Sequence, residues 1–159
     1  MTRSGAVIIA STRASAGIYQ DRCGPVIVDW LNERGIVTGP PVVVADGDAV
    51  AHALRGALDA TPNVIVTSGG TGISPTDATP EVTAALLDYQ IPGVADAIRR
   101  SGLPQVPTSV LSRGVCGVAG RTLIVNLPGS LGGVRDGLSV LADVLDHALD
   151  QLHGKDHSQ

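Results

Sequence analysis

The sequence predicts an α/β fold: a mostly parallel sheet with helices on both faces. Two observations carry this. Short apolar runs alternate with segments of helical periodicity along most of the 159 residues, and such alternation implies parallel strands joined by right-handed crossovers. The runs are nearly continuous in Val, Ile and Ala rather than alternating with polar residues, as in strands covered on both sides. Composition supplies a third constraint. With 43% apolar residues, 2% aromatic ones and no Phe, a core must be assembled from aliphatic side chains. The small net charge of −4 and ample apolar content exclude disorder, and the length suits one domain over residues 1–152, with a polar, frayed tail at 153–159.

The elements follow in order. Residues 6–10 (AVIIA) read as a buried strand. Residues 25–34 read as a helix, with Pro25 at its first position, Ile27, Trp30 and Leu31 on one face and Gly35 at its end. A strand within 36–45 is broken by Gly39-Pro40-Pro41, leaving 42–44 as its secure part. Residues 48–58 place Val50, Leu54, Ala57 and Leu58 on one helical face. Residues 63–67 (NVIVT) form a third strand. Thr79-Pro80-Glu81 opens a helix with Thr79 as N-cap, Pro80 at the first position and Glu81 complementing the dipole. A shorter helix is expected at 94–100, a strand near 110–115, a strand at 122–126, and a long helix at 134–152, where Val134, Leu138, Leu141, Leu145, Leu149 and Leu152 recur at three- and four-residue steps.

Several function classes drop out. The acidic balance without a Lys/Arg cluster argues against nucleic-acid binding. The apolar stretches 6–10 and 42–45 fall far short of the roughly 18 residues that cross a bilayer. No charged segment followed by a long apolar one opens the chain, so no signal peptide is expected and the location expected is cytoplasmic. Cys23 and Cys116 form no C-x-x-C pair and read as reduced, buried side chains. His153 and His157 have i, i+4 spacing but straddle Gly154, a poor metal site.

Ligands of such sheets bind outside the carboxyl ends of the strands. Ser11, Thr12, Arg13 and Ser15 follow the first strand, Asp46 and Asp48 the second. Ser68-Gly69-Gly70-Thr71-Gly72 through Asp77 follow the third, and Asn126-Leu127-Pro128-Gly129-Ser130 belong to the late one. The glycine loop allows close backbone approach to an anion, although it matches neither G-x-x-x-x-G-K-[ST] nor G-x-G-x-x-G. Asp46 and Asp77 beside such a loop make sense with Mg²⁺ between them and phosphate oxygens. Their other readings are an N-cap for Asp46 and a turn former beside Pro75 for Asp77. Arg113 is read either as a phosphate partner or as an ion-pair residue, and Ser130 either as a phosphate ligand or as a helix cap.

These motifs resemble the MogA/MoaB type of molybdenum-cofactor biosynthesis proteins, a domain also found in gephyrin. Thr67 to Gly72, Asp77 and Thr79-Pro80-Glu81 carry the likeness. Ser11 to Gly17 with Asp21 and Gly24, Pro92-Gly93, Leu111-Ser112-Arg113 and Asn126 to Ser130 extend it over residues 6–152. Thr12 departs from it, standing where many members have Asp.

The resemblance implies a three-layer α/β/α sandwich that assembles as a homotrimer, sometimes a hexamer. It also implies adenylylation of molybdopterin, in which the pterin's terminal phosphate attacks the α-phosphate of ATP and pyrophosphate leaves. On this reading Asp46 and Asp77 are catalytic and hold Mg²⁺. Ser11, Arg13, Ser68, Gly69, Gly70, Thr71, Gly72, Ser112, Arg113, Asn126, Pro128, Gly129 and Ser130 bind the pterin and the nucleotide. A molybdate-insertion protein is an expected partner. The alternative is a molybdopterin-binding carrier or scaffold without turnover. The bottom-up chemistry agrees with transfer: a phosphate monoester is already a nucleophile, so alignment and charge neutralisation are the requirement, not a strong base.

Overall fold

A computed structural model describes residues 2–154; the expected tail beyond Gly154, including His157, lies outside the described residues. The strands are β1 (Arg3–Ala10), β2 (Ile36–Thr38), β3 (Val42–Val44), β4 (Val64–Ser68), β5 (Tyr89–Gln90), β6 (Cys116–Ala119) and β7 (Thr122–Leu127). The helices are α1 (Thr12–Ser15), α2 (Cys23–Glu33), α3 (Asp48–Asp59), α4 (Thr79–Ala84), α5 (Pro92–Arg100) and α6 (Leu131–Leu152), with a 3-10 helix at Pro107–Leu111.

The strands form one sheet in the order β2-β1-β4-β7-β6-β5. β2 and β3 are the two halves of one interrupted edge. β2 pairs with Arg3–Gly5 of β1, and β3 with Ile8–Ala10, on either side of the Gly39-Pro40-Pro41 break. The β1, β4 and β7 pairings are parallel, while β5 and β6 run antiparallel to their neighbours. Successive side chains leave a strand on opposite faces, and this divides the core in two. Val7, Ile9, Val64, Val66, Leu123 and Val125 pack toward α2, α5 and α6. Ile8, Ala10, Ile65 and Ile124 pack toward α3 and its neighbour α4. The three-layer α/β/α arrangement is therefore present. Full burial of side chains such as Ile65 and Ile124, both 0% exposed, contributes about 1.5–3 kcal/mol each.

Three local expectations need correction. Residues 110–115 are not a strand. Pro107 opens a 3-10 helix whose Val110 and Leu111 are exposed, and pairing begins only at Cys116; periodicity alone does not distinguish such short apolar runs. Helix α2 starts two residues before Pro25, because the Asp21 carboxylate accepts from the amides of Cys23 (3.0 Å) and Gly24 (3.1 Å). Thr79 is the first residue of α4, not its cap. Its amide donates to the carbonyl of Gly70 at 3.1 Å, which turns the side chain inward, and Ala78 takes the cap position. The two-residue β5 and one-turn α1 carry too little periodicity to be read beforehand.

The sheet positions the site through its register. Ala10 sits opposite Val44, Ile9 opposite Ser68, and Ser68 opposite Leu127. Four strand ends thus lie level to within one residue, about 3.3 Å. The chain leaves β1 to one side for β2 and β3 and returns on the other side as β4. The gap beyond β1 and β4 is a topological switch point, where such sheets take their ligands.

Candidate active site

A cavity of about 760 Å³ opens at this switch point. Ser11, Arg13, Asp46, Ser68, Gly69, Gly70, Asp77 and Gly129 line it, so loops far apart in the sequence meet on one rim. The two carboxylates, Asp46 and Asp77, face the same cavity.

The glycine turn is built by close approach. Gly69 and Gly70 have φ of 94° and 68°, a region that disfavours any side chain. A Cβ on Gly69 would lie 2.2 Å from the carbonyl oxygen of Ala10, and one on Gly129 would lie 3.2 Å from Cα of Gly69. The ends of β1, β4 and β7 are therefore in backbone contact. The Gly69 amide donates to the carbonyl of Leu127 (3.1 Å), and the Ser68 hydroxyl donates to that of Pro128 (2.7 Å).

Asp46 does not cap α3; Gly47 holds that position without a side-chain bond. Instead Asp46 Oδ2 accepts from the Thr12 hydroxyl at 3.1 Å, and the same hydroxyl accepts from the Asp46 amide at 3.2 Å. Asp46 Oδ1 is buried without a hydrogen-bond partner, as is Oγ1 of Thr79. Both stand against Gly70, within 3 Å of where its Cβ would be. Asp77 does form a turn, its Oδ2 accepting from the Ser74 amide at 3.2 Å and its amide donating to the Ser74 carbonyl at 3.0 Å. It lines the cavity from within that turn.

Other singled-out residues stand behind the rim. Asn126 is 3% exposed; its amide nitrogen donates to the hydroxyls of Thr67 (2.9 Å) and Thr83 (3.1 Å), and its oxygen accepts from the Val115 amide (3.1 Å). Thr71 is buried against Ser112, whose hydroxyl donates to it at 3.3 Å. Ser130 caps α6 by accepting from the Gly133 amide at 3.1 Å. Arg113 donates from Nε to the carbonyl of Gly72 (2.8 Å), from Nη2 to that of Asp77 (3.1 Å), and pairs with Glu81. The guanidinium holds the half-exposed Glu81 carboxyl below its ordinary value. Thr71, Gly72, Ser112, Arg113, Asn126, Pro128 and Ser130 are absent from the cavity wall.

The cavity also includes residues that sequence reasoning left aside: Tyr19, Gln20, Arg22, Cys23, Thr76 and Leu131. Tyr19 shares a 2.7 Å hydrogen bond with the hydroxyl of Ser11, which itself caps α1. Cys23 and Leu131 are the first residues of α2 and α6, so two helix N-termini reach the cavity, where partial positive charge favours anions. Burial pushes the Cys23 thiol up, a bond with Ser68 pulls it down, and Asp21 raises it further. The signal that could have found this arc is Asp21, whose place just before Pro25 is that of a helix-capping carboxylate.

The donor set fits Mg²⁺ of the kind that rides on a phosphate substrate. Among the described residues no three His, Cys, Asp or Glu side chains gather into a self-sufficient metal centre. Two carboxylates, one of them with an unpartnered oxygen, are the complement Mg²⁺ takes when phosphate oxygens and water complete its shell. His153 instead caps α6, with Nε2 against the side-chain amide of Asn63. No helix among the described residues is long and apolar enough to cross a membrane.

Fold and site together define an α/β protein with a carboxylate-bearing cavity, rimmed by a glycine turn and two helix N-termini, at a topological switch point. Residues 6–147 match the family described as a probable molybdopterin binding domain, and the chain belongs to that family, which serves molybdenum cofactor biosynthesis. The molybdopterin biosynthesis Mog protein from Mycobacterium ulcerans is similar in structure, with a TM-score of 0.90 and 67% identity, covering 94% of this chain and 99% of that one. The molybdopterin adenylyltransferase of Escherichia coli (strain K12) is 34% identical over 158 residues, 96% of this chain and 78% of the relative. The molybdenum cofactor biosynthesis bifunctional protein of Synechococcus elongatus is 35% identical over 152 residues, 95% of this chain. This chain spans only about half that relative's length, 48%.

Proposed function

We propose that this protein is a molybdopterin adenylyltransferase, transferring AMP from ATP to the terminal phosphate of molybdopterin with release of pyrophosphate. The observation that carries the reading is the opening of Asp46 and Asp77 onto one cavity, with the Gly69-Gly70 turn between their loops. Two phosphate-bearing partners must be brought together against mutual repulsion. The exposed guanidinium groups of Arg13 and Arg22 and the N-termini of α2 and α6 supply positive potential on the rim. The glycine turn lets backbone and phosphate come close. The Ser11 and Tyr19 hydroxyls, already bonded to each other, stand ready to exchange that bond for one to a ligand. Asp46 and Asp77 would hold Mg²⁺, which when bound offsets negative charge on the nucleotide phosphates. No side chain need act as base, because the attacking monoester is already ionised.

The test is pyrophosphate release from ATP and molybdopterin with magnesium. The parent protein is expected to turn over. Asp77→Ala is expected to lose at least about 10²-fold in kcat, the scale for losing an alignment or charge-stabilising element. Its stability should fall by no more than about 1 kcal/mol, since only the bond from the Ser74 amide is lost. A parent that binds molybdopterin but releases no pyrophosphate overturns the enzyme reading in favour of a carrier. The exposed Val106, Val110 and Leu111 are a natural surface to be covered in a homotrimer, which sedimentation would measure.

A further inference from the structure

We infer that Arg113 is a positioning residue that clamps shut the loop carrying Asp77, rather than a ligand of the substrates. The inference rests on the adenylyltransferase reading for its kinetic consequence, but its structural basis is independent of it. Residues 72–77 leave the end of the glycine turn and return to the start of α4, and Asp77 stands at the return. One guanidinium grips both ends of that excursion. Nε donates to the carbonyl of Gly72 at 2.8 Å, and Nη2 donates to the carbonyl of Asp77 at 3.1 Å. The third nitrogen, Nη1, pairs with Glu81 just beyond, and the Arg113 amide donates to the Thr71 carbonyl at 2.7 Å just before.

The clamp is itself anchored. Arg99 of α5 donates from Nη1 to the carbonyls on either side of Arg113, Gly114 at 2.9 Å and Ser112 at 3.4 Å. All three guanidinium nitrogens of Arg113 are therefore engaged with the loop and α4, and the residue is absent from the cavity wall. A lysine cannot replace it, because one ammonium does not present the planar fork that spans two carbonyls and a carboxylate. The excursion's own internal bonds, between Ser74 and Asp77, close a turn but do not tie it to the body of the protein. Arg113 does.

The experiment compares the full chain with Arg113→Ala, Arg113→Lys and Glu81→Gln, measuring two quantities. Amide hydrogen exchange over residues 72–78 is read by mass spectrometry without any ligand, with β7 as the internal control for folding. Pyrophosphate release is resolved into kcat and KM for ATP. Arg113→Ala is expected to speed exchange over 72–78 by roughly tenfold or more, as befits loss of charge-assisted hydrogen bonds, while β7 is unchanged. Its kcat is expected to fall toward that of Asp77→Ala with KM for ATP within about threefold, the pattern of a lost alignment. Added guanidinium ion should restore part of both, and Arg113→Lys should resemble the alanine variant. Glu81→Gln, which keeps the two carbonyl bonds, should give a smaller change of the same kind.

Unchanged exchange over 72–78 in Arg113→Ala overturns the clamp, and a rise confined to KM with that exchange unchanged marks Arg113 as a direct phosphate partner. If Arg113→Ala disturbs β7 as well, the comparison passes to Arg113→Lys, which keeps the charge but loses the fork across the two carbonyls; its failure to loosen 72–78 overturns the clamp equally. A parent without pyrophosphate release sinks the adenylyltransferase reading alone, because the exchange measurement still decides the clamp.

Discussion

Replacing Gly70 by alanine would put one methyl group 2.3 Å from Oγ1 of Thr79, 3.3 Å from its Cβ and 2.9 Å from Oδ1 of Asp46. Two costs follow. The φ of 68° places an L-residue in the left-handed region, at about 1 kcal/mol. Crowding two buried side chains adds about 1–3 kcal/mol more, as overpacking does elsewhere. The expected loss of stability is thus about 2–4 kcal/mol, measured by urea unfolding. Asp46 is the softer neighbour, because its other oxygen is held only by the Thr12 hydroxyl. Its displacement is expected to lower kcat by about 10²-fold.

The decisive comparison is the double variant with Thr79→Ala, which removes the nearest atom and leaves no hydroxyl to crowd. Thr79→Ala alone deletes a buried oxygen that has no partner together with one buried methyl group, and should cost about 1 kcal/mol. The pair should therefore be less damaging than the sum of the singles by at least about 1 kcal/mol, the coupling expected of neighbours in contact. Additive losses, or a Gly70→Ala protein as stable as the parent, would refute the steric reasoning and with it the idea that Gly70 keeps Asp46 in place.

Two further outcomes are expected. Asn126→Ala should destabilise the fold by about 3 kcal/mol in urea unfolding, because it strands the buried hydroxyls of Thr67 and Thr83 and the Val115 amide; a change under about 0.5 kcal/mol would mean that Asn126 does not hold this network. Glu81 should contribute to acid sensitivity. Its carboxyl lies below its ordinary 4.5 in the folded protein, chiefly through Arg113, so its contribution is present above 4.5 and is lost as pH falls through the lowered folded value. The parent is then expected to lose stability more steeply than Glu81→Gln as pH falls from about 4.5 toward the lowered folded value, and parallel curves would exclude the pair as a source.

Much of the site was legible because loops after parallel strands share an edge whatever their sequence separation. That rule alone brought Ser11, Asp46, Gly69 and Gly129 to one rim. It did not distinguish side chains that face a ligand from those that hold the rim together. Asn126 and Arg113 have the chemistry of ligands, yet both are committed to protein partners. Nor did it foresee Tyr19, which lines the cavity bonded to Ser11, or Cys23, which reaches it because Asp21 starts α2 earlier than Pro25 suggested.

By itself the sequence determined the layers. Aliphatic runs on two periods require a sheet covered on both faces, and glycine and proline punctuation delimits the elements. The order of strands, the antiparallel pairing of β5 and β6 and the division of labour within the loops were decided by tertiary structure. The physical reason is that hydrophobic burial is written residue by residue in the chain, whereas the bond a polar side chain finally makes depends on which other segments folding brings within about 3 Å of it.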